Sequence, residues 1–158
     1  MMPADRATCA DFTTRGFAVS GPNEQSRELM RRITTGIWDE GRLDLIDELI
    51  AEDLVDHIEV PGLEVTGRER YRATAVMSRI AFPDFRNPLD LIVAEGDIAV
   101  SYGRNVGTNT GEWMGIPPTG KTIDVLAFGM LRFKDGQAIE RWGFVDTMAM
   151  AQQLGMLE

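Results

Sequence analysis

The stretch G-T-N-T-G-E-W-M-G-I-P-P-T-G-K-T, residues 107–122, decides how everything around it is read. It holds too much Gly, Pro and Thr for a helix or a central strand. Alternating apolar runs flank it on both sides, so it reads as the long tip of a hairpin. Its second half, Gly115 to Thr122, also spells the phosphate-loop pattern G-x-x-x-x-G-K-[ST]. A phosphate loop must follow a buried strand and open a helix whose free N–H groups face the anion. Lys121 is instead followed by the strand-like run I-D-V-L-A-F-G-M-L-R-F. Pro117 and Pro118 also lack two of the N–H groups that a phosphate needs. The stretch is a stiff hairpin tip, and nucleotide binding is set aside.

Outward from this tip the pattern has period two. Strands are expected over residues 89–94, 98–108, 122–133 and 137–145, with turn signals E-G-D at 95–97 and K-D-G at 134–136. Upstream the period changes to that of helices. Leu29, Met30, Ile33, Ile37 and Trp38 fall on one face of a helix that Asn23 caps and Gly41 ends. A shorter helix is expected over residues 43–51, followed by an extended piece that ends at Pro61-Gly62. Thr66 and Glu69 form a capping box that opens a third helix, with Tyr71, Ala75 and Ile80 inward and Pro83 as its stop. Asp146 caps a short last helix that ends at Gly155.

Helices first and strands afterwards define an α+β class, with helices packed on one face of an antiparallel sheet. The 158 residues fit one domain over 23–158, preceded by a flexible N-terminal tail at 1–22. A net charge of −9 and a pI near 4.6 disfavour nucleic acid and anionic membranes as partners. Cys9 is the only cysteine, which points to a reducing compartment. No secretory signal or membrane span is legible, so a cytoplasmic location is expected. One histidine and no cluster of ligands at matched spacing leave no metal site to propose.

The hairpin tip, followed by F-K-D-G-Q-A-I-E-R-W-G-F-V-D at 133–146 and Q-Q-L-G at 152–155, resembles the SnoaL-like polyketide cyclases. These belong to the nuclear-transport-factor-2-like superfamily of α+β folds. The resemblance runs from about Glu24 to Met156. It implies a cone-shaped curved sheet, about three N-terminal helices over its concave face, an apolar pocket between them and no cofactor. It further implies a homodimer through the outer sheet face.

Two groups are candidates for acid–base work. His57 is the only side chain whose ordinary pKa lies near neutrality, and the resemblance puts its D-H pair near the pocket. Its alternative is a histidine hydrogen-bonded at a strand end. Asp146 closes the motif Glu140-x-Trp142-x-x-x-Asp146, and its alternative is the helix cap. Trp38 and Trp142 offer flat apolar surfaces for a ring-shaped ligand. Tyr102 and Arg104 share a face of their strand, and Arg141 faces opposite to Glu140 and Trp142. Tyr102, Arg104 or Arg141 is the expected donor to a carbonyl or enolate oxygen. Glu140 is expected to pair with Arg104 or Arg132. Against the family pattern, Gly143 stands where the antibiotic-pathway cyclases carry their acid–base aspartate. Ala127 and Gly129 replace two polar pocket residues, so small residues at 127, 129 and 143 are expected to enlarge the pocket.

The functional expectation is a cofactor-independent enzyme that moves protons on a small apolar or polyketide-like carbonyl compound. The reaction would be an aldol-type cyclisation or isomerisation, as in a polyketide or ester cyclase. Epoxide opening or hydration in the same pocket stays open. So does a non-catalytic module for small-ligand binding or dimerisation.

Overall fold

A computed structural model describes residues 21–157. The tail, with Cys9, lies outside the described residues apart from its last two positions, Gly21 and Pro22. Helix α1 (Pro22–Arg31) continues without a break into a π-helical segment, Arg32–Asp39. Pro22 sits in its first turn, where a missing N–H costs nothing. Asn23 does not cap it; its side chain instead accepts the Gly96 N–H at 2.6 Å and ties the helix to a β-turn. A single 3₁₀ turn, Leu43–Leu45, leads into the short α2 (Ile46–Leu49) and directly into β1 (Ile50–Asp56). Helix α3 (Gly67–Ala81) starts after Thr66, but neither half of the expected capping box forms: Thr66 makes no side-chain cap and Glu69 turns to Arg72. Its inward line is Tyr71, Ala75, Ser78 and Ala81, whereas Ile80, expected inside, is exposed.

The strands follow as β2 (Leu89–Glu95), β3 (Ile98–Thr108), β4 (Thr122–Lys134) and β5 (Gln137–Val145), and α4 (Thr147–Leu154) closes the fold. β3 and β4 pair in unbroken register from Ile98–Arg132 to Thr108–Thr122. The loop beyond Thr108 is the hairpin tip, and no helix opens after Lys121. Asn109, almost fully buried, organises it: its amide donates to the Gly111 carbonyl and its oxygen accepts from the Thr119 N–H and hydroxyl. The turn from β4 to β5 has positive φ at both Asp135 and Gly136, as the twist of a two-residue hairpin requires.

The sheet order is β1-β5-β4-β3-β2. It is mixed, since β1 lies parallel to β5 while every other pair is antiparallel. This amends the all-antiparallel expectation within the α+β class. Alternation along β4 sends Ile123, Val125, Leu131 and Phe133 inward, and Asp124, Leu126 and Phe128 outward. Two apolar clusters join helices to the inner face. One gathers Met30, Ile33, Ile37, Tyr71 and Leu131; the other gathers Phe82, Phe85, Ile123, Val125 and Met150. Each fully buried side chain of this size contributes about 1.5–3 kcal/mol.

Candidate functional site

Between the helices and the inner sheet face lies a cavity of about 670 Å³, open at one end. That volume suits a small organic ligand. Both apolar clusters contribute to its wall, through Met30, Ile33 and Tyr71 on one side and Phe82, Ile123 and Met150 on the other. Its floor is the inner row Ser101–Gly129–Gly143, three residues in register across β3, β4 and β5. Trp113 and Met114 of the hairpin tip, with residues 57–61, frame the mouth.

Among the described residues, Arg141 is the only lysine or arginine that lines this cavity. It lies one inner position from Gly143 on β5. Its Nη1 donates to Asp56 Oδ2 at 3.1 Å, and Asp56 Oδ1 accepts the Ile58 N–H at 3.0 Å. Asp56 is 2% exposed and Arg141 12%. The pair can form because β1 runs parallel to β5 with Asp56 opposite Arg141. The guanidinium carbon stands 4.6 Å from the centre of the Tyr71 ring and 5.4 Å from that of Trp38, two favourable cation–aromatic contacts. The Trp38 indole N–H donates to the Tyr71 hydroxyl at 2.6 Å. Burial pushes the Tyr71 phenol up to about 12, so it stays protonated across the physiological range.

His57 sits at the corner where β1 ends. Its backbone N–H donates to the Arg141 carbonyl, and its ring packs beside Glu140 and Trp142. There it stacks on Trp142, with centroids 4.7 Å apart, and its Nε2 lies 2.9 Å from Glu140 Oε1. The other Glu140 oxygen takes a hydrogen bond from Arg132 at 2.7 Å, which settles the partner of Glu140. His57 is among the residues that line the cavity.

Trp38, Ala127, Gly129, Arg141, Trp142 and Gly143 line the cavity or its mouth together with His57. Three residues read as candidates do not line it. Asp146 accepts the Ala149 N–H at 2.9 Å and caps α4, so the helix cap is the contact that it makes. His57 and Asp146 therefore do not converge on one pocket. Tyr102 and Arg104 lie on the outer sheet face, where Arg104 pairs with Asp124, because the inner positions of β3 are Ser101 and Gly103. The small residue at 143 also acts otherwise than expected. A Cβ there would meet Ile58 Cδ1 at 2.6 Å, so Gly143 makes room for Ile58 and leaves no space for a ligand. A Cβ at Gly129 would instead stand in ordinary contact with Ser101 Oγ at 3.4 Å and with Met30 Cε and the Trp142 carbonyl oxygen at 4.0 Å, so a methyl group fits there.

Sequence reading missed Asp56, Ser101 and Ile58. Asp56 was visible as half of the D-H pair, but its importance follows from a parallel pairing that no period reveals. Among the described residues no group of three or more His, Cys, Asp or Glu could hold a metal ion. No described helix is long and apolar enough to cross a membrane.

The profile of the SnoaL-like polyketide cyclases matches residues 28–154. The chain belongs to that family. No curated protein matches it. Among solved structures, this SnoaL-like chain is similar to TsrD of Streptomyces laurentii at 25% identity and a TM-score of 0.76, covering 87% of this chain and 100% of that one. IdmH of Streptomyces antibioticus, provisionally assigned as a polyketide cyclase, is 28% identical with a TM-score of 0.72 over 83% and 99% of the two chains. AclR of Streptomyces galilaeus, provisionally assigned as a hydroxylase, is 25% identical with a TM-score of 0.73 over 86% and 88%. The expected family and its α+β fold are thus both found.

Proposed function

We propose that this SnoaL-like protein is a cofactor-independent polyketide-cyclase-type enzyme that moves protons on a small, mostly apolar carbonyl compound. The observation that carries the reading is a guanidinium, Arg141, set in a mostly apolar cavity of enzyme-site size. A carbonyl oxygen placed on Arg141 gains a charge-assisted hydrogen bond that strengthens as the oxygen becomes an enolate. The proposed base is His57, which lines the cavity and has its Nε2 2.9 Å from Glu140 Oε1. It would take the proton α to the carbonyl and return it at the carbon or oxygen that closes the ring.

The test is deuterium uptake by an enolisable bicyclic ketone in heavy water, followed by proton magnetic resonance. Wild type should accelerate exchange, and His57→Gln and Arg141→Met should each slow it by about a hundredfold, the usual size of one acid–base or oxyanion contribution. A ketone that binds but exchanges no faster than in buffer would remove the catalytic reading. It would leave a ligand-binding module, the reading favoured by the capping role of Asp146.

The functional unit is proposed to be a homodimer. The outer sheet face exposes a stacked pair, Phe128 and Phe144, at 45% and 54% exposure, beside Tyr102 and Leu126. A contiguous aromatic face of this kind marks an interface. A second copy of the same face matches it in chemistry, because its paired Arg104 and Asp124 carry both signs of charge. Phe128→Asp should shift the mass measured by light scattering from dimer to monomer; an unchanged mass would point to another face.

A further inference from the structure

Asp56 by itself does not fix the direction of Arg141. It holds the guanidinium through one N–H, on Nη1, and one such contact leaves the group free to turn, as a two-bond fork would not. Glu59, Asn87, Asn105 and Ser101 also line the cavity, yet none of them forms a hydrogen bond or ion pair with this guanidinium. What lies against it is aromatic: its carbon is 4.6 Å from the Tyr71 ring centre and 5.4 Å from that of Trp38. The two rings meet edge to face, with centres 5.6 Å apart and planes at 65°. The bond from the Trp38 N–H to the Tyr71 hydroxyl locks them at that angle. Trp38 itself comes from the eight-residue π-helical segment, a geometry that usually lasts a single turn and recurs at functional sites. Its backbone carbonyl takes an Arg79 N–H, and Arg79 also donates to the Asp39 carbonyl at 3.1 Å and the Phe85 carbonyl at 2.9 Å.

Resting on the reading that Arg141 is the donor to the substrate oxygen, we propose that Trp38 and Tyr71 are positioning residues, an aromatic clamp that aims the guanidinium into the cavity. A cation beside an aromatic ring is drawn to the negative face of that ring. The attraction grows where water is shut out, as it is between Tyr71 at 1% and Arg141 at 12% exposure. Asp56 takes Nη1, the rings set the tilt of the group, and its other N–H groups have no acceptor among the described residues. Those N–H groups meet the substrate oxygen already oriented, so the reaction step does not have to order a long side chain. Without the Trp38–Tyr71 bond the rings are free to tilt, and the guanidinium tilts with them.

Two measurements test this. The first follows the Arg141 Nε–H magnetic resonance in isotope-labelled protein without ligand, assigned by its disappearance in Arg141→Met. In wild type the ring currents of the clamp should displace it, and Tyr71→Leu should return it to the ordinary arginine position. Should Tyr71→Leu fold poorly, Trp38→Phe/Tyr71→Phe removes the lock without stranding either partner, and a shift of the resonance is expected there too. The second is a double-variant cycle on the exchange of the bicyclic ketone. Tyr71→Phe keeps the ring and removes the lock, and should lower kcat by about tenfold with KM unchanged. Added to Arg141→Met it should lower the rate no further, because the clamp then has nothing to hold; a purely structural loss would multiply. A resonance unmoved by loss of the clamp, or losses that multiply, overturns the proposal. Should wild type fail to speed exchange, the catalytic reading falls and the resonance alone decides the clamp.

Discussion

Replacing Asp56 by alanine should strand the Arg141 guanidinium. The wild-type carboxylate holds Arg141 Nη1 at 3.1 Å and the Ile58 N–H at 3.0 Å, with both charged side chains largely buried. Removing one partner of a buried ion pair costs about 3–5 kcal/mol, because the other charge stays behind uncompensated. Arg141 opens on a cavity that can admit water, so the lower end applies, about 3 kcal/mol. For a domain of this size each kcal/mol moves the midpoint by about 2–4 °C, so Tm should fall by about 6–12 °C. Asp56→Ala/Arg141→Met removes both charges and should recover about 2 kcal/mol of that loss, since only packing and one backbone partner are then missing. Urea denaturation of wild type, both single variants and the double variant gives the coupling energy directly. A single-variant loss below about 0.5 kcal/mol, or a coupling energy of zero, would mean that the pair does not hold Arg141 in place.

Three further outcomes follow from the same geometry. Tyr71 keeps its proton in the fold up to about pH 12 and loses it near pH 10 when unfolded, so stability should be complete below pH 10 and fall as pH rises beyond it. Tyr71→Phe should abolish that alkaline loss, read by denaturation at stepped pH, and a persisting loss would assign it elsewhere. Hydrogen bonds from Arg86, together with the Asn87 N–H, hold the Asp39 carboxyl below its ordinary value despite the opposing effect of burial. Its contribution is present above about pH 4 and lost as pH falls through the lowered value, so Asp39→Asn should cost about 1.5 kcal/mol at neutral pH and flatten the acid limb. Alanine at Gly143 must push back Ile58 Cδ1, the far end of a flexible side chain, and should cost about 1–2 kcal/mol, most of it recovered by Ile58→Val. Alanine at Gly111 meets the Ile80 backbone carbonyl, which cannot yield, and should cost at least about 3 kcal/mol; equal Tm losses at the two glycines would refute this distinction.

Much of the fold is written locally. β3 and β5 were expected with the bounds that they have, because strict alternation ends at turns built from Gly96, Asp135 and Gly136. The last helix follows from Asp146 and Gly155, a cap and a left-handed stop within one short window. The phosphate-loop spelling at Gly115–Thr122 dissolved for an equally local reason: a strand follows Lys121. Where contact partners lie far apart in sequence, the reading weakened. Ile80 was placed inside on helical period alone, yet the surface that covers α3 is set by β1 and α2, and it takes Ser78 and Ala81 instead.

The site divides along the same line. That Arg141 faces away from Glu140 and Trp142 is a property of any strand, and so was fixed by the chain itself. Which of the two faces looks into the cavity is a property of the assembled layers. Tyr102 and Arg104 fell outside on that account, and His57 went to the mouth with its ring on Trp142. The parallel seat of β1 against β5 brings Asp56, eighty-five residues distant, onto Arg141. Strand period is the same in parallel and antiparallel pairing, so no local pattern encodes that meeting. Sequence alone determined the family, the order of elements and the orientation of Arg141 relative to its neighbours. Tertiary structure decided which charges are buried together, because burial belongs to the packing of layers and not to any one stretch of chain.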